Sequence, residues 1–177
     1  MRAPTRSSPP DAAIRPAAGP RDIETVRALF LEYAKSLSFD LCFQGFDREL
    51  ATLPGAYAPP SGRLILAGPP NQAFGCIALR PLAAQRCGGD ANVSAVNGAG
   101  EVKRLYVQPG NRGGGWGRKL TEALIAEARA IGYRELKLDT LEWMTDARKL
   151  YAKLGFRECD PYYDNPLPGA VYMALVL

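Results

Sequence analysis

The 177-residue chain carries 22 Lys and Arg against 18 Asp and Glu, a formal charge of +4, and no histidine. The basic excess is scattered rather than gathered into the stripe that nucleic acid demands, and no run of about 18 apolar residues predicts a membrane span. Without imidazole there is no Ser-His-Asp or Cys-His nucleophilic site and no His-containing zinc site, so any general acid or base is Asp, Glu, Tyr, Lys or Cys.

Taken in chain order, the first residues read "MRAPTRSSPPDAAIRPAAGP", with five prolines and no apolar signal-peptide core. Residues 1–11 are expected to be a disordered tail, and residues 12–177 one domain. Ala12 to Arg15 suit a short edge strand. A helix should start near Pro20 to Asp22, because Ile23, Val26, Leu29, Phe30, Tyr33 and Leu37 follow helical spacing. "FDRELATLPG" predicts a second short helix, with Asp47 as N-cap and Pro54-Gly55 as its stop.

"GRLILA" (62–67) and "FGCIALRPL" (74–82) read as two strands joined by the turn "GPPNQ". Residues 83–100 are small, polar and glycine-rich, a hairpin tip or loop. "EVKRLYVQ" (101–108) is a strand. From about Gly115 to Ile131 an apolar stripe of Leu120, Leu124, Ala128 and Ile131 predicts a helix that Gly132 ends. "ELKLDT" (135–140) is a strand, residues 145–154 a helix closed by Gly155, and "GFREC" and "AVYMALVL" the last strands, the latter a candidate sheet edge. The alternation of strands and helices describes an α/β domain with a mixed sheet. The four cysteines, at 42, 76, 87 and 159, form no C-x-x-C pair and read as thiols of a reducing cytoplasm.

The stretch "KRLYVQPGNRGGGWGRKL" (103–120) joins a strand to a helix through Gly113, Gly114, Gly115 and Gly117, flanked by Arg112 and Arg118. That is a design for an anion. The first helical turn has free N–H groups and a favourable dipole, and glycine lets backbone approach closely. A Walker loop needs Gly-Lys-Ser/Thr, which is missing. The G-x-G-x-x-G fingerprint fails at Arg118 and at Leu120. Arg112-x-x-Gly115-x-Gly117 matches another signature, Q/R-x-x-G-x-G/A.

That signature resembles the one of the GNAT superfamily, N-acetyltransferases that use acetyl-CoA. "ARKLYAKLGFREC" (147–159) resembles the family's second signature, and "RLYVQP" its central strand. The resemblance covers roughly residues 12–177. It implies a mixed, mostly antiparallel sheet of six to seven strands flanked by about four helices and splayed at the central strands.

The resemblance also implies roles. Backbone N–H groups near Arg112, Gly113, Gly114, Gly115, Gly117 and Arg118 would hold the pyrophosphate of acetyl-CoA, with Trp116 packing that loop. Its pantetheine arm would run beside Leu105, Tyr106 and Val107, and the Val107 N–H would face the thioester carbonyl. In the histone-acetyltransferase branch a glutamate base stands eleven residues before the Q/R of the loop, and Glu101 has that spacing. A solvated strand-end residue is the alternative for Glu101. Tyr151, on the apolar face of its helix, matches the tyrosine that protonates the departing thiolate, or is a core tyrosine. Where the family commonly has asparagine, this chain has Met144, so Thr145 or Asp146 is left to cap the helix.

The expected reaction is direct attack of a primary amine on acetyl-CoA in a ternary complex, without a metal. A non-catalytic acyl-CoA-binding module, a different acyl chain and a protein amine as acceptor remain alternatives. The acceptor is expected between the first helices and the late loop, near Phe39, Phe43 and Phe46, the acids Asp40, Asp47 and Glu49, and Tyr162, Tyr163, Asp164 and Asn165. Asp139 and Thr140 are expected to line the cleft. No nucleic-acid or membrane partner is expected, and the chain should act as a monomer or homodimer.

Overall fold

The computed structural model describes residues 13–37, 39, 41, 44–82 and 98–177. The expected tail over 1–11 and the glycine-rich stretch over 83–97 lie outside them, as do Asp40, Cys42, Phe43 and Cys87.

Seven strands form one sheet in the order β1-β2-β3-β4-β5-β7-β6. They are β1 (Ala13–Pro16), β2 (Arg63–Gly68), β3 (Gly75–Pro81), β4 (Ala99–Val107), β5 (Glu135–Leu141), β6 (Arg157–Glu158) and β7 (Ala170–Val176). Among the described residues four α-helices accompany them: α1 (Gly19–Ser36), α2 (Phe46–Ala51), α3 (Trp116–Ile131) and α4 (Thr145–Lys153). This is the mixed sheet with four helices that the sequence led us to expect. All pairings are antiparallel except β4 with β5.

The sheet is buried on both faces, and strand alternation sorts its side chains between two cores. Ile65, Ile77, Leu79 and Leu136 face the stripe of α3 at Leu120, Leu124 and Ala128. Leu64, Leu66, Cys76 and Ala78 face Val26, Leu29 and Phe30 of α1. Asp22 secures the start of α1. It accepts hydrogen bonds from the Arg15 guanidinium of β1 at 2.5 and 2.7 Å and from the Ala18 N–H at 2.7 Å.

Three local expectations need correction. Gly45, in the left-handed region at φ 70°, starts α2 rather than Asp47, so a backbone turn takes the place of a side-chain cap. Met144 occupies the N-cap of α4 with no side-chain cap, so neither Thr145 nor Asp146 serves. The last strand, β7, is not the edge: it inserts between β5 and β6, and the two-residue β6 closes the sheet. β7 pairs with β5 from Glu135↔Val176 to Leu141↔Ala170 and with β6 at Arg157↔Ala174 and Glu158↔Met173, so both of its sides are occupied.

The feature that positions the site is a gap. β4 and β5 pair only at Ala99↔Glu135, Gly100↔Leu136 and Glu101↔Lys137, and then part. Beyond Glu101 the β5-facing edge of β4 has no strand beside it among the described residues.

Candidate active site

The gap opens into a cleft of about 680 Å³, lined by β4 from Val102 to Val107, the glycine loop, the C-terminal end of β5 and the start of α4. A β-bulge in β4 shapes it. The register slips between Cys76↔Tyr106 and Ala78↔Lys103, leaving one extra residue in β4. Arg104 takes φ 57° there, a left-handed conformation unusual for a side-chain-bearing residue. The bulge puts two consecutive side chains on one face. Val102, Leu105 and Val107 pack with the α3 core, and Tyr106 with the α1 core. Lys103 and Arg104 both turn toward the α1 side of the gap, joined there through Tyr163 and Gln44.

Arg104 is deeply buried. Its guanidinium gives two 2.8 Å hydrogen bonds to the Glu49 carboxylate and one of 3.1 Å to Gln44 Oε1, and lies over the Phe46 ring. Gln44 Nε2 reaches the Tyr163 hydroxyl at 3.3 Å, which itself donates to Asp139 Oδ2 at 2.9 Å. Asn165 Nδ2 donates to the same oxygen at 3.3 Å. Lys103 Nζ stands 3.0 Å from Asp139 Oδ1 and 3.4 Å from Glu101 Oε1. A continuous polar chain thus runs from α2 across β4 to β5 and the loop before β7. Burial first, then the Asp139 carboxylate, raises the Tyr163 hydroxyl above the usual tyrosine range and keeps it a donor.

The predicted catalytic residues occupy different depths. Glu101 is 3% exposed, at the last paired position of the β4–β5 ladder. It binds Arg80 Nε at 2.7 Å and accepts from the Tyr162 hydroxyl at 3.2 Å, and it is not on the cleft surface. It is therefore not a solvated strand end. Tyr151 does line the cleft, packed against Phe156, and burial drives its hydroxyl well above the ordinary tyrosine range. Leu105, Tyr106 and Val107 line it as well.

The open edge of β4 is fixed by alternation. Gln108 N–H bonds to Phe74 O on the β3 side, so the peptide groups of Val107 point the other way, into the gap. Arg112 Nε, 2.9 Å from Val107 O, marks that direction.

The glycine loop meets the same cleft. Gly115 is the N-cap of α3 at φ 73°, and Gly113 has φ 85°; a Cβ at either would meet open space. Both positions are accessible to a ligand, and both need glycine for their backbone. A Cβ at Gly117 would stand 3.4 Å from Leu150 Cδ2, so there the loop faces α4. Gly114 is exposed and does not line the cleft. Trp116 is buried edge-to-face against Phe74, with Lys119 Nζ 4.2 Å over its ring, which anchors the loop to the body. Arg118 pairs with Glu122 on the helix surface.

A glycine turn into a helix N-terminus, an unpaired strand edge and a buried tyrosine thus share one cleft at a parallel gap in the sheet. A sequence model described as the acetyltransferase (GNAT) family matches residues 26–156. The chain belongs to the acetyltransferase (GNAT) family. It is 36% identical, over 88% of its length and 89% of the relative's, to an uncharacterised N-acetyltransferase of Schizosaccharomyces pombe. Its fold is that of an acetyltransferase of Streptococcus agalactiae, at TM-score 0.72 and 19% identity over 95% of this chain and 99% of that one. A putative acetyltransferase of Salmonella typhimurium, solved with acetyl-CoA, aligns at TM-score 0.67 and 19% identity over 93% of each chain.

For this GNAT enzyme, the sequence pointed to the loop, Tyr151, Asp139 and the late tyrosines. It did not reveal the bulge or the coupling of Lys103 with Asp139. The available signal was "VKRLYV", two adjacent charges inside a strand otherwise apolar on both faces, a pattern that strict alternation cannot bury. Of the expected acceptor acids, Glu49 is bound to Arg104, Asp164 is exposed away from the cleft, and Asp40 lies outside the described residues. Among the described residues no cluster suits a metal ion, and no helix is long and apolar enough to cross a membrane.

Proposed function

We propose that the chain moves an acetyl group from acetyl-CoA to a primary amine by direct attack in a ternary complex. The observation that carries this reading is the shared cleft: the α3 N-terminus at Gly115, the open β4 edge at Val107 and the Tyr151 side chain all meet in it. The donor set suits acetyl-CoA. Gly113 and Gly115 leave their outer sides open beside Arg112 and Arg118, as a pyrophosphate requires. The unpaired edge of β4 suits an extended amide chain.

The chain's own groups then divide the work. The Val107 N–H stabilises the negative charge that builds on the thioester oxygen. As the amine nitrogen bonds to the carbonyl carbon, its proton passes to the carboxylates that share Lys103, with Asp139 on the cleft surface and Glu101 behind it. As the carbon–sulfur bond breaks, Tyr151 gives its proton to the sulfur. Its raised affinity for that proton keeps it loaded at neutral pH. Residues 12–177 form the transferase domain in this reading. The free thiols of Cys76 and Cys159 suit the reducing cytoplasm.

The test is calorimetric titration of acetyl-CoA into the protein at fixed salt, followed by an amine screen that reads thiol release. One-to-one binding and amine-dependent release support the reading. No binding by folded protein removes it.

A further inference from the structure

We infer that the acceptor is a small primary amine with an uncharged aromatic or aliphatic body, received by Asp139 and walled by Phe39 and Trp143. This inference rests on the transferase reading above. Its ground is the state of the charges on the acceptor side of the cleft. Of the charged residues that line the cleft, Arg112 and Arg118 belong to the glycine loop and Asp146 to the start of α4, while Lys103, Arg104 and Asp139, on the strands, are each engaged within the protein. Arg104 has its charge matched by Glu49 and gives three of its five N–H groups to Glu49 and Gln44, and the Gln44 amide nitrogen reaches Tyr163. Asn165 gives its N–H to Asp139 and Tyr163, and its oxygen accepts the Leu167 N–H.

Against these strand residues a substrate carboxylate, phosphate or second ammonium would be desolvated without a free counter-group among the described ones, which is costly. One polar valence does remain. A carboxylate has about four lone-pair directions, and Asp139 uses three, for Lys103, Tyr163 and Asn165. Oδ2 accepts two of those bonds and Oδ1 one, so the free direction is on Oδ1. It suits a single N–H of an incoming amine.

Tyr33, Leu37, Phe39, Leu41, Trp143 and Leu167 supply rings and aliphatic surface on that side, and the hydroxyls of Ser36 and Thr140 are given to Tyr33 O and Met144 Sδ. Phe39, from the α1–α2 connection, meets Trp143, from the β5–α4 loop, edge-to-face with ring centroids 6.3 Å apart. The two come from opposite sides of the gap. Trp143 is 53% exposed and lines the cleft, so its indole offers open apolar surface to a ligand there.

The experiment is a thiol-release assay at saturating acetyl-CoA with phenethylamine and tyramine against spermidine, free lysine and a lysine-containing basic peptide. The arylalkylamines should lead in kcat/KM by about tenfold or more, since an added unpaired charge must be desolvated in the site. Trp143→Ala and Phe39→Ala should raise the arylalkylamine KM severalfold while acetyl-CoA affinity, read by calorimetry, stays put. The exposure of Trp143 makes its truncation tolerable to the fold.

A lead for spermidine, lysine or the peptide overturns the inference, as does an unchanged KM in both variants. If acetyl-CoA binds but the arylalkylamines release no thiol, the acceptor class is wrong while the donor site stands. If acetyl-CoA does not bind, the transferase reading falls and takes this inference with it.

Discussion

Lys103 Nζ bridges the gap between the parting strands, 3.0 Å from Asp139 Oδ1 on β5 and 3.4 Å from Glu101 Oε1 on its own strand. The ammonium thereby ties a buried carboxylate to one on the cleft surface. One ammonium thus joins both carboxylates and leaves the surface one facing the cleft.

The two carboxylates should separate by kinetics. Asp139→Asn should lower single-turnover acetyl transfer about 100-fold, the scale of a lost general base. Acetyl-CoA affinity should be unchanged, because Asp139 is on the acceptor side. Glu101→Gln should slow transfer most at pH values below the amine's own pKa, where a base is needed. A Glu101→Gln variant with the parent pH–rate profile would remove Glu101 from the proton path. An Asp139→Asn variant at the parental rate would remove Asp139.

Tyr151 makes a sharper case, because its inward position is shared by a core tyrosine and a proton donor. Tyr151→Phe keeps the ring against Phe156 and deletes only the hydroxyl. Single-turnover transfer should fall by about 100-fold with no change in acetyl-CoA binding or thermal stability. Parental rates would assign the hydroxyl to packing alone.

The sequence and the structure agree where a local rule governs and part where a long-range one does. Gly115 and Gly132 at the ends of α3 were legible because the left-handed region selects glycine from local backbone alone. The stripe Leu120, Leu124, Ala128 was legible because helical period fixes one face. Whether β7 ends the sheet or enters it depends on whether the two-residue β6 pairs along its other side, which alternation does not specify. The bulge at Arg104 depends on the register between β3 and β4, again non-local. The polar chain from Glu49 to Asp139 follows from that bulge. Charge-pair partners so distant in sequence could be named as candidates but not joined.

Arg104 combines a strained backbone with a buried ion pair, and two substitutions separate them. Arg104→Ala removes the guanidinium, strands Glu49 in a buried setting, and keeps a Cβ at φ 57°. Breaking a buried pair costs about 3–5 kcal/mol. Arg104→Gly loses the same pair but relaxes the left-handed strain, so it should be about 1 kcal/mol less destabilised than the alanine variant. Urea unfolding of both proteins measures the difference. A glycine variant less stable than the alanine variant would mean that the bulge stores no strain at this residue.

Alkaline pH provides a test of the whole tyrosine set. All eight tyrosines of the chain, including Tyr57, Tyr151, Tyr162 and Tyr163, are raised above the ordinary value, and burial is the first cause in each. In the unfolded chain they ionise near about pH 10. Above that pH the unfolded state has lost protons that the folded state still holds, so the sign is fixed: stability falls as pH rises. Below it both states are protonated and the tyrosines add no slope. The melting temperature should drop steeply from about pH 10 upward, with the tyrosinate absorbance appearing at unfolding rather than before it. Tyr151→Phe should make the fall shallower, because one of the deferred ionisations is gone. Tyrosinate absorbance that develops near pH 10 in a protein still folded by circular dichroism would show that the hydroxyls around the cleft are not desolvated as this structure has them.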